Sequence, residues 1–126
     1  MFRVIPELTV DDMQRSMDFY CGILDFQVSM RDEEGHTDFV SLEKEDAALF
    51  LVTEGSRDIT KREALKLNKR GVGVRLYFEV EDARALHEEL KTKELADLGE
   101  LSYNQEEDYT EFTLIDPDGY CLGFYS

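Results

Sequence analysis

The sequence predicts an α+β fold built from two copies of a strand-helix-strand-strand-strand unit, and three observations predict it. Val10-Asp11-Asp12 matches Val80-Glu81-Asp82 at an offset of 70, and Phe39 to Asp46 matches Phe112 to Gly119 at an offset of 73. Apolar residues recur at helical spacing in both copies, behind a capping-box signal in the first. Between them, short runs alternate apolar and polar side chains, the period of a half-buried strand. Each copy has a one-sided sheet that must cover its apolar face.

The elements follow in order. Phe2 to Thr9 reads as a strand. Asp11 and Gln14 have capping-box spacing, and Met13, Met17, Tyr20 and Leu24 form the stripe of a first helix that stops near Gly22. Phe26 to Met30 reads as a strand, and Asp32 to Gly35 as a turn. Asp38–Leu42 and Ala47–Thr53 form a hairpin around Glu43 to Asp46. In the connector, Thr60 and Glu63 again have capping-box spacing, which predicts a short helix over 61–69 rich in Lys and Arg. It serves as a linker, a lid or a contact with acids of a second subunit. Val72 to Val80 is then a strand, and Ala83, Leu86 and Leu90 mark a second helix. Leu101 to Tyr103 is a short strand. Tyr109–Ile115 and Tyr120–Tyr125 form the closing hairpin, whose Asp116-Pro117-Asp118-Gly119 turn carries a type I signature.

Composition bounds the function. The 126 residues suit one domain, with module one at 1–55, a connector at 56–71 and module two at 72–126. Hydrophobic residues make up 42% and charged residues 34%, and six Tyr and eight Phe argue against disorder. The net charge of −15 disfavours nucleic acid and anionic membranes as partners, because phosphate binding draws on Lys and Arg clusters. It assists a cationic small molecule by steering. No apolar run reaches the ~20 residues of a membrane span, and no secretory signal opens the chain. Cys21 and Cys121 cannot make a disulfide framework or a zinc ribbon and read as thiols in a reducing, cytoplasmic setting.

Alternation sorts the strand faces. In the second copy Val74, Leu76, Phe78 and Val80 face the helices, with Arg75, Tyr77 and Glu79 opposite. In the first, Val4, Pro6, Leu8 and Val10 lie opposite Ile5, Glu7 and Thr9. A turn with Asp116 opposite Gly119 places Leu114 opposite Cys121 and Phe112 opposite Gly123. The same logic places Phe39 opposite Phe50 and Ser41 opposite Ala48. The face away from the helices then mixes Phe39, Phe50, Phe112, Tyr77 and Tyr125 with Arg3, Arg75, Glu7 and Glu79. Aromatics with a few convergent charges make a ligand cavity. The alternative is a subunit interface in which Arg75 pairs with a Glu. Glu7 and Glu79 are the expected partners of Arg75, since a buried unpaired charge is costly. His36, beside a turn, and His87, within the second helix, read as exposed.

The opening Val4 to Tyr20, the Gly73 to Ala83 segment and the closing Ile115 to Tyr120 resemble the vicinal oxygen chelate superfamily. That group holds glyoxalase I, extradiol dioxygenases, fosfomycin resistance enzymes and bleomycin resistance proteins. The resemblance implies paired βαβββ modules forming a cupped mixed sheet with helices outside, and a homodimer. It also implies four metal-ligand positions, which fall on Ile5, Phe50, Arg75 and Gly123. Ile, Phe and Gly offer no side-chain donor and Arg repels cations, so no metal and no cofactor are expected. The pattern resembles more the metal-free bleomycin-resistance branch, whose members sequester a cationic drug at the dimer interface. This implies an aromatic ligand, with cationic charge compatible, held by Ile5, Glu7, Phe39, Phe50, Arg75, Tyr77, Glu79, Phe112, Cys121, Gly123 and Tyr125. The alternative is an enzyme of the same superfamily, such as an isomerase, lyase or glyoxalase-like protein, using Glu or Arg in the cup. No Gly-x-Ser-x-Gly elbow or phosphate loop is present. Cys121 has no base near it in sequence and reads as a half-buried thiol.

Overall fold

A computed structural model of the chain describes residues 2–31, 38–53 and 69–126. The expected 32–35 turn, His36 and the expected connector helix over 61–68 lie outside the described residues. The chain divides into two compact units, residues 1–70 and 71–126. Each is a βαβββ module with a four-stranded mixed sheet and one helix described.

In the first unit, β1 (Glu7–Val10) is followed by α1 (Met13–Tyr20), β2 (Gln27–Arg31), β3 (Phe39–Lys44) and β4 (Ala47–Thr53), in sheet order β1-β4-β3-β2. The β1 strand is shorter than the alternation predicts. Pro6 has no N–H to give the ladder, and its carbonyl accepts the first rung from the Phe50 N–H at 2.9 Å. The residues ahead of it leave the sheet, with Phe2 and Val4 exposed. The helix is capped by Asp12, not Asp11: its carboxylate accepts from the Arg15 N–H at 3.1 Å. Asp11 instead takes Arg70, whose guanidinium donates to the Asp11 carboxylate and to the Thr9 carbonyl, both at 2.6 Å. The end of the basic connector is thereby pinned to the β1–α1 corner of its own unit.

The helix buries Met13, Ser16, Phe19 and Tyr20. Facing them from the sheet are Leu8, Val10, Val40, Leu42, Leu49 and Leu51, all buried. Tyr20 packs edge-on against Phe19 and Phe26 at 5.0 and 6.0 Å. Gly22 follows the C-cap residue Cys21; a Cβ there would run into the Asp18 carbonyl.

In the second unit, β5 (Arg75–Glu79) leads to α2 (Ala83–Lys91), β6 (Ser102–Asn104), β7 (Tyr109–Ile115) and β8 (Cys121–Tyr125), in order β5-β8-β7-β6. Asp82, 70 residues after Asp12, caps α2 in the same way, accepting from the Ala85 N–H at 3.0 Å. The β5 strand also begins late. Gly71 and Gly73 adopt φ of +71° and +80°, the Val74 N–H closes onto the Gly71 carbonyl, and Val74 is exposed, not facing the helix as expected.

The α2 stripe is Ala83, His87 and Leu90. The expectation of an exposed His87 is therefore corrected: it is buried, its Nε2–H donates to the Gly99 carbonyl at 2.8 Å, and its ring meets Phe112 at 5.0 Å. From there a row of rings crosses the helix-facing side of the sheet. Phe112 stacks on Phe124 at 5.1 Å, and Phe124 on Phe78 at 5.3 Å.

Both hairpin registers differ from expectation. In the first, Lys44 pairs with Ala47 across a two-residue turn in which Glu45 takes φ +52°. Phe39 therefore faces Val52, and Ser41 faces Phe50, a shift of two residues. In the second, Asp116 pairs with Tyr120 and Ile115 with Cys121. The Asp116 to Gly119 turn does form, closed by the Gly119 N–H on the Asp116 carbonyl, but Gly119 (φ +99°) is an extra residue of a three-residue loop. The register moves by one, so Phe112 faces Phe124 and Thr113 faces Gly123. The repeat accordingly has two offsets. Val40 and Leu42 correspond to Phe112 and Leu114, 72 residues on, whereas Phe50 and Val52 correspond to Gly123 and Tyr125, 73 on.

Candidate functional site

Each sheet has a face turned away from its helix, and these two faces carry the residues singled out in the sequence. In the first unit the ladder sets Glu7, Phe50 and Ser41 in one row and Thr9, Val52 and Phe39 in the next. Phe39 and Phe50 are diagonal neighbours with ring centroids 5.2 Å apart. The Ser29 hydroxyl donates to the Ser41 hydroxyl at 2.9 Å where β2 bulges. Glu7 is exposed. Ile5 lies outside the strand, two residues before the first ladder pair, and is half-buried.

In the second unit the rows are Arg75, Cys121 and Ile115, then Tyr77, Gly123 and Thr113, then Glu79, Tyr125 and Glu111. Phe112 is not among them. The one-residue register shift turns it to the helix side, where it is 2% exposed, so its place on this face is corrected to Thr113. Glu111, Thr113 and Ile115 are the face residues that sequence reasoning missed. The Gly at the third position of the Pro117-Asp118-Gly119 loop was the signal that could have found them.

Gly123 makes room for Tyr77. A Cβ at position 123 would stand 2.6 Å from Cε1 and 2.7 Å from Cδ1 of the Tyr77 ring. The ring therefore rests against bare backbone, with its remaining surface open to solvent at 47% exposure. Tyr125 meets it edge-on at 6.0 Å. The Tyr77 hydroxyl accepts from Arg75 Nη1 at 3.1 Å and donates to Glu111 Oε2 at 3.4 Å. Arg75 is exposed, and hydrogen bonds to Tyr77 first and Cys121 second raise the pKa of its guanidinium, keeping it charged. Within its own unit, the expected partner Glu79 is not what Arg75 touches. Among the described residues its polar contacts are a phenol and a thiol, and no carboxylate forms an ion pair with it. Cys121 is half-buried and its thiol is free of any disulfide.

The chain matches the Glyoxalase/Bleomycin resistance protein/Dioxygenase superfamily over residues 4–124. It belongs to that superfamily. The solved structures it resembles include that of SMU.1112c, with a TM-score of 0.73 and 22% identity over 100% of this chain and 98% of that one. A glyoxalase/bleomycin resistance protein from Streptomyces sp. CB03234 superposes with a TM-score of 0.70 at 19% identity, covering 97% of both chains. The bleomycin-binding protein from bleomycin-producing Streptomyces verticillus, solved with copper(II)-bleomycin, gives 0.66 at 22% identity over 98% of this chain and 94% of that one. At these identities the likeness is one of fold. No curated protein matches the sequence.

The metal-ligand positions that membership brings to mind do not suit a metal in this chain. Arg75 and Gly123 sit two residues out of step on adjacent strands, as do Ile5 and Phe50 in the first unit. None of the four supplies an anionic or imidazole donor. Among the described residues no group of three or more His, Cys, Asp and Glu is arranged to hold an ion. No helix of the described residues is long and apolar enough to cross a membrane. Two of the surface grooves among the described residues lie elsewhere. One, of about 440 Å³, runs between Gln27, Ser29, Glu43 and Lys44. The other, of about 580 Å³, lies between His87, Lys91, Leu98 and Glu100.

Proposed function

We propose that this superfamily member is a metal-independent small-molecule-binding protein that sequesters an aromatic compound, an antibiotic being the chemistry its fold relatives suggest. The observation that carries this reading is the open face of the second unit. There Tyr77 and Tyr125 present ring surface beside Arg75, which forms no ion pair among the described residues and holds one of the positions where the resemblance implies a metal donor. Aromatic surface with few, well-placed polar groups is the usual lining of a ligand site. The copper-bleomycin complex of a protein of the same fold supports the sequestration reading. Phe39 and Phe50 extend the same character to the first unit.

The test is binding before and after chelation. The chain has six Tyr and no Trp, so ligand binding can be followed by tyrosine fluorescence. After dialysis against EDTA it is titrated with aromatic compounds of different charge, bleomycin included. At least one binds stoichiometrically, with the same affinity as before chelation, and is recovered unchanged. Binding that appears only when nickel, zinc, iron or manganese is restored sinks metal independence. A chemically altered compound favours the enzyme alternative, in which the Tyr77 hydroxyl between Arg75 and Glu111 is the group placed to give a proton.

The protein is a homodimer in this reading. Exposed Phe2, Val4, Val72 and Val74, at equivalent places ahead of the first strand of each unit, are apolar surface for a partner copy. Sedimentation at micromolar concentration returns twice 14.6 kDa; a mass near 14.6 kDa itself counts against it.

A further inference from the structure

We infer that the face of the second unit selects an amphoteric aromatic molecule, with an anionic group at the Arg75 end and a cationic group at the Glu79 end. This rests on the small-molecule reading above and names the class of ligand. The three rows of the sheet carry different charge. The first holds the guanidinium of Arg75 beside the uncharged Cys121 and Ile115. The middle holds the Tyr77 ring against Gly123. The third holds two carboxylates, Glu79 and Glu111, flanking Tyr125. From the Arg75 to the Glu79 backbone is ~13 Å along one strand, four steps of ~3.3 Å.

The polarity of this strip survives its internal contacts. Arg75 reaches the Tyr77 hydroxyl but pairs with no carboxylate among the described residues. Glu111 reaches the same hydroxyl from the other side at the long distance of 3.4 Å. The phenol thus bridges Arg75 to Glu111, and Glu79 is left as the carboxylate at the far end. A guanidinium with free N–H groups takes a carboxylate in a paired, charge-assisted contact. At the far end the exposed carboxylate of Glu79 takes a cationic group in a charge-assisted contact. Between the ends, the open surface of Tyr77 and the edge of Tyr125 give an aromatic core its place. The net charge of −15 steers the cationic end and opposes a purely anionic ligand, so the acidic excess and Arg75 are reconciled only by a molecule carrying both signs.

The test uses the full chain and three rigid probes sharing one aromatic core: 4′-(aminomethyl)biphenyl-4-carboxylate, biphenyl-4-carboxylate and 4-(aminomethyl)biphenyl. Calorimetry at low salt gives the zwitterion an affinity about tenfold above either single-charge probe, as one charge-assisted contact is worth. Arg75→Ala removes the advantage over the amine probe. The substitution Glu79→Gln removes the advantage over the carboxylate probe. All these side chains are at least part-exposed, and an unchanged melting transition confirms that the variants fold. Equal binding of the three probes, or an advantage that survives both variants, overturns the charge axis and leaves the small-molecule reading standing. Binding of none of them overturns this inference alone, provided the broader compound panel above still yields a ligand. Failure of both sets overturns both.

Discussion

Phe112→Ala lowers the free energy of unfolding by about 4 kcal/mol, the cost of removing a buried Phe from a packed site. Its ring is 2% exposed and lies between His87 of α2 and Phe124 of β8, so truncation opens a cavity on the helix side of the second sheet. Its chain neighbour Thr113 points the other way, and Thr113→Ala stays within about 1 kcal/mol of the parent. Urea unfolding followed by circular dichroism measures both. The contrast discriminates between the two registers considered for this hairpin. With Phe112 opposite Gly123, its ring would lie on the open face and its loss would be small. A Phe112→Ala cost below about 1 kcal/mol would return the strand to that register.

Asp116→Ala lowers stability by about 2 kcal/mol, through hydrogen bonds alone. The side chain of Asp116 is 3% exposed and its Oδ1 accepts from the backbone N–H groups of Asp118 at 3.0 Å and Tyr120 at 2.8 Å. Without it, N–H groups in a tight loop lose an acceptor, which costs more than forming the bonds repays. Asp116→Asn keeps an oxygen acceptor and loses about half as much. Thermal and urea melts of the two variants side by side give the comparison. Equal losses would mean that the charge of the carboxylate, not its geometry, holds the loop.

Much of this architecture is legible in local pattern. Apolar spacing marks both helices, though the caps are Asp12, one residue past the expected Asp11, and Asp82, and alternation divides Leu8 and Val10 from Glu7, and Leu76 and Phe78 from Arg75 and Tyr77. These features depend on neighbours a few residues away, where the periods of helix and strand apply directly. The same is true of the missing metal donors, because Ile5, Phe50, Arg75 and Gly123 lack the chemistry wherever the fold places them. His87 was hidden only by its polarity. Its spacing from Ala83 and Leu90 belongs to the buried stripe, and the Gly99 carbonyl that satisfies it comes from a loop the helix pattern does not contain.

The two hairpins show where local pattern stops. In the first, the expected register was wrong by two residues, and because side chains alternate with period two, Phe39 and Phe50 kept their face. In the second it was wrong by one, and Phe112 changed sides. In Tyr109 to Ile115 the alternation sets Phe112 and Leu114 against Glu111 and Thr113, but a register taken from the turn alone overrode it. The choice was made by one glycine at positive φ and by which strands finally lie side by side. The partner of Arg75 was decided in the same way. Strand faces alone offered it Glu7 and Glu79, but the space over Gly123 lets Tyr77 lie across β8, and its hydroxyl meets the guanidinium first. By itself the sequence determined the two modules, their helices and the alternation of their strands. Tertiary structure alone decided which aromatics are core and which charges stay unpaired, because both depend on contacts between strands far apart in the chain.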